Sequence, residues 1–584
     1  MRAYSITLLS CGLHLLACQL HQGDASEATV QPNILLVVVD DLGYHDVGFH
    51  DPAFSTPNID RMVSEGVELS SFYTSALCTP TRSQLMTGRY NHRTGMQDAV
   101  LFMTEPRGVP LEERFIGEKL RDAGYSTALV GKWHLGMHMA VYTPNHRGFD
   151  RFYGMLPSHG SQFTHESRSP VPFVARKGTP ERIFRGVNLV EDGQLSDDNY
   201  EHIHTTDLYT TKAAEYLEAM VATGNPWFLD LSYQAIHDPM EEEEMWFTGN
   251  SCDGIGKDLD SEINPEVDLD NRRIVCGMMA HVDDSLGQIR LLLTKLGQWD
   301  NTVLLFMSDN GGALRFGSRN YPFRGAKREN WEGGVHVPAF VSGGYLTSAL
   351  SLGKVKPYVY SHLTHVTDIH ATALGLAGVT SEEGLLDGVD FWDSLVTQGG
   401  AARESVVISV HSPYFGESSA VRSGNFKLMQ NPAPVPHLVY RGVRNELSEN
   451  GLVASRDVLA NVTAKVLERL GLSEPDMYLI DLDANPREDT SGTCGDPIEA
   501  CSNLYGNPRY AAAQEELEAI LESAKENSVP TDFLWADDGP LADPANFGGW
   551  LPWRDDDGTP LALYFEGTSM SSSVAGAGDQ CGWT

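Results

Sequence analysis

The chain is punctuated by short, unbroken apolar runs that end abruptly in acids. Ile34-Leu35-Leu36-Val37-Val38-Val39 stops at Asp40-Asp41, and Val303-Leu304-Leu305-Phe306-Met307-Ser308 stops at Asp309-Asn310-Gly311-Gly312. A β-branched-rich run with no polar face predicts a parallel strand covered on both sides. Residues 125–130 and 227–233 predict further strands. Residues 116–124, 208–222 and 274–296 carry helical periodicity between them. This alternation predicts an α/β fold with a large, mostly parallel central sheet flanked by helices. From about Glu404 the pattern changes. Residues 405–411, 419–429 and 476–482 predict strands of a smaller antiparallel sheet, and 510–526 one amphipathic helix. The expected organisation is an N-terminal domain over 30–400, a C-terminal α+β subdomain over 401–530 and an irregular tail over 531–584, with 570–578 disordered. Residues 241–244 and 249–270 are polar and predict solvated insertions.

The chemistry gathers where strands end. Ligands of open α/β sheets bind outside the carboxyl ends of the strands. Asp40, Asp41, Asp309 and Asn310 would deliver hard oxygen donors to one such edge, a set suited to Ca²⁺ or Mg²⁺, with Ca²⁺ tolerating the less regular cage. An unpaired buried cluster of this charge is costly, so a bound cation is the simplest explanation. A second feature is Leu77-Cys78-Thr79-Pro80-Thr81-Arg82-Ser83-Gln84-Leu85-Met86-Thr87-Gly88. Pro80 is tolerated in a first helical turn and Gly88 can end the helix. Cys78 then sits at a helix N-terminus, which favours an anion, and Arg82 adds a fixed positive charge one turn on. Lys132, His134, His237 and Lys327 all fall on loops after predicted strands, within reach of the same crevice.

Cys78-Thr79-Pro80-Thr81-Arg82 resembles the C-x-P-x-R signature of the sulfatases. Gly131-Lys132-Trp133-His134-Leu135-Gly136, Arg147-Gly148-Phe149-Asp150, Ser308-Asp309-Asn310-Gly311-Gly312 and Trp331-Glu332-Gly333-Gly334 are similar to further blocks of that family, in its order. Within it the chain looks nearest the arylsulfatase B (N-acetylgalactosamine-4-sulfatase) group, from which the insertion 248–271 and the cysteine positions depart. The resemblance implies an alkaline-phosphatase-like fold and a sulfuric ester hydrolase acting on a sulfated carbohydrate or aryl sulfate. It implies that Cys78 is oxidised to formylglycine by a formylglycine-generating enzyme, and that Asp40, Asp41, Asp309, Asn310 and residue 78 ligate the metal. One hydroxyl of the aldehyde hydrate, held by Arg82, attacks the sulfur. Lys132 and Lys327 neutralise the sulfate oxygens, and His237 with Lys327 protonates the leaving alcohol. The second hydroxyl, deprotonated with help from His134, expels sulfate. Ser158 matches a family position that contacts sulfate, and Arg89 is expected to buttress the Cys78 helix. Rival readings of the same residues are a phosphatase or phosphodiesterase of the superfamily, a non-catalytic binder of sulfated glycans, and a thiol hydrolase using Cys78.

Charge complicates the picture. The formal net charge is −37, from 42 Lys and Arg against 79 Asp and Glu. That excludes nucleic acid and anionic membranes as partners. It also repels an anionic substrate at long range, so local Arg, Lys, His and metal must overcome the field. The apolar run after Met1-Arg2 reads as a signal peptide over residues 1–25, which predicts a secreted or lysosomal protein. Leu15-Leu16-Ala17-Cys18 also resembles a bacterial lipoprotein signal, with acylation at Cys18. No later run is long enough for an integral span. Cys494 and Cys501 flank a short loop suited to pairing in an oxidising compartment, while Cys252, Cys276 and Cys581 leave an odd thiol. Asn461-Val462-Thr463 is a glycosylation sequon. Nothing in the pattern fixes an oligomeric state.

Overall fold

The structure is a computed structural model. It describes residues 31–171, 182–196, 200, 202–241, 252, 255, 269–380, 385–412, 418–432, 477–490, 502–531, 545, 549–555 and 558. A ten-stranded sheet forms its centre. Five contiguous strands, in the order Thr302–Ser308, Asn33–Val39, Trp227–Tyr233, Ser126–Lys132 and Arg151–Met155, are all parallel. Antiparallel strands extend both flanks, with Ala339–Ser342 beside the first of the five and Leu189–Glu191 beside the last.

Every residue of Asn33–Val39 is buried. Its alternate side chains enter two separate cores. Ile34, Leu36 and Val38 pack with residues such as Leu120 and Ile369. Leu35, Val37 and Val39 pack with Tyr209, Leu217, Val282 and Ile289. Those partners lie on the helices Ile116–Asp122 and Val366–Leu376 on one face, and Thr205–Thr223 and Leu269–Lys295 on the other. The predicted two-sided burial, and with it the α/β class, is therefore observed. Register then places the site. Val39 is level with both Ser308 and Tyr233, so Asp40 and Asp309 leave the sheet together.

A separate four-stranded antiparallel sheet runs Ser405–Ser412, Ser418–Ser423, Phe426–Gln430 and Met477–Asp481. One face packs on the helix Ala511–Glu526 through Val421, Leu428 and Leu479 against Leu517 and Leu521. The other face, through Ala420, Met429 and Ile480, meets Tyr73 and Trp331. A buried ionic lock joins this sheet to the segment after the central one. Lys427 Nζ lies 2.8 Å from Glu332 Oε1 and 2.9 Å from Glu488 Oε1. Glu332 also accepts from Tyr73 Oη (2.5 Å) and contacts His336 Nδ1 (2.9 Å).

Several expectations change. Residues 419–429 are not one strand but two, because Ser423-Gly424-Asn425 turns the chain, with Gly424 at φ 51°. Lys132 is the last residue of its strand, not a loop residue. The stretch 249–270 is not merely solvated: Cys252 and Ile255 are buried in the core, and Cys252 is bonded to Cys276 on the helix Leu269–Lys295. Glu241 likewise accepts from Ser161 Oγ (2.6 Å) and Gln162 N (2.7 Å). Cys18, Cys494, Cys501, Cys581, Asn461, residues 242–244 and 570–578 lie outside the described residues. Among the described residues, no helix is long and apolar enough to cross a membrane.

One acid sits inside the sheet itself. Asp230, in the buried strand Trp227–Tyr233, accepts from Ser232 Oγ at 2.7 Å through Oδ1, while Oδ2 has no partner. Burial pushes its carboxyl up to about 6, with Ser232 and Arg82 opposing. A carboxyl raised in the folded state stabilises fully below its unfolded pKa, and the contribution is lost as pH rises through the folded one. Asp230→Asn is therefore expected to be more stable than the parent at pH 8 by about 1–3 kcal/mol, with the difference vanishing near pH 4. Urea unfolding at the two pH values checks this, and an equal difference at both would refute it.

Candidate active site

The site starts from a backbone irregularity. In an extended strand consecutive side chains point to opposite faces. Asp41 leaves the strand at φ 62°, a left-handed conformation that Asp tolerates better than most residues. The turn lets Asp40 and Asp41 both face the same cluster of cations. Asp40 Oδ2 accepts from Lys132 Nζ at 2.6 Å, and Asp41 Oδ1 lies 2.6 Å from Lys327 Nζ. Asp309 closes the set, with Oδ2 accepting from Arg82 Nε at 3.0 Å and Oδ1 from the Asp41 amide at 3.1 Å. All three acids are buried.

Cys78 opens the helix Cys78–Thr87, with Leu77 in extended conformation as its N-cap and Gly88 ending it at φ 72°. All ten residues of this helix are buried, so its polar side chains are paired locally. Ser83 Oγ donates to Pro80 O at 2.8 Å, Thr87 Oγ1 to Ser83 O at 2.7 Å, and Thr81 Oγ1 to Ser75 O at 3.1 Å. Cys78 Sγ lies 3.7 Å from Asp40 Oδ1. Arg82, one turn on, also donates to Lys132 O at 3.1 Å. Burial pushes the Cys78 thiol up to about 12, against the pull of Lys132 and Lys327. Burial thus works against a Cys78 thiolate.

The two histidines are held as opposite tautomers. His134 Nε2 meets the Leu101 carbonyl at 2.9 Å, so Nε2 carries the proton and Nδ1, buried and unpartnered, is a lone-pair acceptor. Burial and then Lys132 hold its pKa well below the usual range. His237 Nδ1 donates to Asp238 O at 2.8 Å, which turns Nε2 toward Asp41 Oδ2 at 3.8 Å. Burial, then Lys327, lower its pKa, with Asp41 and Asp238 opposing. Asp41 and Asp309 shift in opposite directions. Lys327 and His237 hold Asp41 below the carboxylate range despite burial. Burial and Asp40 push Asp309 up to about 6.

These side chains form a group that can hold a metal ion. The ligand atoms of Asp40, Asp41, Cys78 and His237 lie within 4.8 Å of one another. Asn310 Nδ2 donates to Asp41 Oδ1 at 2.8 Å, but Asn310 Oδ1 is buried with no partner. A buried amide oxygen left unpaired among carboxylates is the arrangement a cation completes. His237 joins the tight group directly, whereas Asp309 and Asn310 join it through hydrogen bonds.

The predicted residues Asp40, Asp41, Cys78, Arg82, Lys132, His237, Asp309, Asn310 and Lys327 thus converge. His134 lies beside them, its backbone carbonyl accepting from Thr79 Oγ1 at 3.1 Å. Ser158 is less direct, with Oγ 2.8 Å from His159 Nδ1, and the His159 ring stacks 5.6 Å from that of His237. Arg89 pairs with Glu113, away from this cluster. Sequence reasoning missed His159, whose signal was its place beside Ser158, and Asp230, whose signal was an acid within an apolar run. Two glycines keep the strand ends close. A Cβ on Gly131, at φ 118°, would lie 1.8 Å from Ser232 O, and one on Gly311 1.9 Å from Gly333 O.

Comparison with known proteins agrees with this geometry. The sulfatase family profile matches residues 32–379. Mouse arylsulfatase J is 34% identical over 368 residues, which span 63% of this chain and 56% of that protein. Mouse N-acetylgalactosamine-6-sulfatase is 31% identical over 64% of this chain and 68% of its own length. The match therefore spans little more than half of the first of these relatives. Among solved structures, Ps i-CgsB superposes with a TM-score of 0.63 at 25% identity, covering 86% of this chain and 95% of that one. The PsFucS1 sulfatase from Pseudoalteromonas sp. shares the fold, with a TM-score of 0.59 at 23% identity, covering 87% of this chain and 93% of its own. With the profile covering more than half of the chain, including all the strand-end residues described above, the protein belongs to the sulfatase family.

Proposed function

We propose that this protein hydrolyses the sulfate ester of a carbohydrate or aryl alcohol, with residue 78 as formylglycine and Ca²⁺ or Mg²⁺ held by Asp40, Asp41, Asp309 and Asn310. The observation that carries the reading is the meeting of Cys78, at a buried helix N-terminus, with two acids that are each paired to a lysine. A cation bound there would acidify an oxygen nucleophile and offset charge on sulfate. An aldehyde hydrate at residue 78 would supply that oxygen, and a second hydroxyl for release of sulfate.

The chain's own residues supply the rest. Arg82, fixed by Asp309 and the Lys132 carbonyl, orients the side chain at position 78. Lys132 and Lys327 turn from their carboxylates to the sulfate oxygens, where negative charge accumulates. His134 Nδ1 accepts a proton during release of sulfate. His237 presents Nε2 to the leaving oxygen, and because Nδ1 already holds a proton, it acts as an acid only after taking up a second one. Lys327, kept protonated by Asp41 against the effect of burial, shares this task. The catalytic residues fall in the 30–400 domain, with the 401–530 subdomain packed behind the Lys327 loop. A formylglycine-generating enzyme is the maturation partner. The Cys252–Cys276 bond supports an oxidising, extracytoplasmic location.

Three outcomes test this reading. A peptide mass spectrum across residue 78 is expected to show aldehyde in place of thiol, and Cys78→Ala to lose 4-nitrocatechol sulfate turnover; a full complement of alkylatable thiol in an active preparation would refute the proposal. Loss of the general acid matters most for a poor leaving group. His237→Ala is therefore expected to slow cleavage of a sugar sulfate by about 10²–10⁴-fold, and that of 4-nitrocatechol sulfate much less; equal losses on both would remove His237 from that role. Chelation is expected to lower the melting temperature as well as the activity, since the buried acids lose their counter-ion, and Ca²⁺ to restore both. A melting curve indifferent to chelator would count against a resident cation.

A further inference from the structure

Beyond the cation cluster, the Lys327 loop borders a second basic feature. Arg324 and Lys327 are three residues apart, so their Cα atoms lie within about 11 Å. The Arg324 guanidinium lies over the Trp331 ring, 3.7 Å from its centroid, and donates to Glu488 O at 3.2 Å and Thr490 Oγ1 at 3.3 Å. Arg487, which is exposed, donates from Nη2 to Tyr321 Oη at 3.0 Å. Arg324, Arg487, Asp489 and Thr490 line an open cleft of about 480 Å³.

The cleft is built on fixed parts. Asn485 braces the loop that carries Arg487, accepting from Asp489 N at 2.9 Å and donating to Asp489 O at 2.8 Å. Glu488, fully buried, ties that loop back to the Glu332 amide at 2.6 Å and to Lys427. Two guanidiniums from distant segments are thus held at one opening, beside the Asp489 carboxylate among the described residues. In a chain of net charge −37 such a pairing of arginines stands out. A guanidinium fork matches sulfate and carboxylate geometry. The volume suits a sugar unit better than a lone ion. Asp489 and Thr490 add an acceptor and a hydroxyl of the kind that pair with sugar hydroxyls.

We infer that this cleft binds a second anionic group of the substrate, a sulfate or carboxylate on a sugar neighbouring the one whose ester meets Lys327. The inference deepens the proposed function and rests on it, because it makes the substrate a multiply charged glycan and not an isolated sulfate ester. The cationic rim offers a local answer to the long-range repulsion set by the acidic chain.

The test compares inhibition of 4-nitrocatechol sulfate turnover by a heparin-derived hexasaccharide and by inorganic sulfate, in the full-length protein and in Arg487→Gln and Arg487→Lys. Arg487→Gln is expected to raise the ratio of the hexasaccharide constant to the sulfate constant about fivefold, and Arg487→Lys to raise it less. An unchanged ratio overturns the subsite, whether both constants move together or neither moves. Absence of turnover in the parent protein overturns the sulfatase reading instead. Calorimetric titration with the same hexasaccharide then decides the cleft separately: a fivefold weaker affinity in Arg487→Gln supports it, and equal affinity removes it.

Discussion

Three carboxylates at the carboxyl edge of a parallel sheet are each matched to a cation from a different segment. Lys132 comes from the end of a strand two places along the sheet, Lys327 from the loop after the Asp309 strand, and Arg82 from the Cys78 helix. Buried ion pairs of this kind contribute little net stability, because desolvation offsets their attraction. Their value here is geometric. Each pair fixes one wall of the cleft relative to another, and each carboxylate can exchange its partner for a metal or each cation for an anion. The site is therefore balanced before any ligand arrives, and its parts are already in place.

A second ionic lock stands behind the first. Glu332, Lys427 and Glu488 are almost completely buried, and they connect the Trp331-Glu332-Gly333-Gly334 turn to the antiparallel sheet. Gly333 N donates to Arg324 O at 2.7 Å, and Lys327 N to Gly312 O at 3.2 Å, so the turn, the lysine and the Asp309 strand end form one hydrogen-bonded unit. The C-terminal sheet thereby supports the loop that faces the cation cluster, and it also supplies Arg487 at the rim. Burial and Glu332 push Glu488 up, while Lys427 and His336 draw Glu332 down against the effect of burial.

Much of this was legible in the residues, because the strongest signals were local. An apolar run ending in Asp-Asp or Asp-Asn announces a strand and the position of its ligands together. Cys-x-Pro-x-Arg announces a helix N-terminus with its anion partner. The hairpin at Gly424 had a local signal too, since Ser423-Gly424-Asn425 is a turn sequence between two short apolar stretches. What else escaped was set by contacts between distant segments. The Cys252–Cys276 bond joins a polar insertion to a helix 24 residues away, and no spacing rule predicts it. The lock at Lys427 was equally invisible, since a lysine in a strand pattern usually marks the solvent face, and here the partner acids lie 95 and 61 residues away. His159 earned no mention beside Ser158 because a lone histidine gives no hint of the ring it will stack on.

The depth of residue 78 has a consequence for timing. Its side chain is 1% exposed, beneath a helix buried on every side and behind the acids of the strand ends. A small molecule can pass where a protein catalyst, which grips several residues of backbone around its target, cannot. An enzyme that rewrites this thiol must therefore meet the chain while Leu77 to Arg82 is still unfolded, before folding narrows the approach to it.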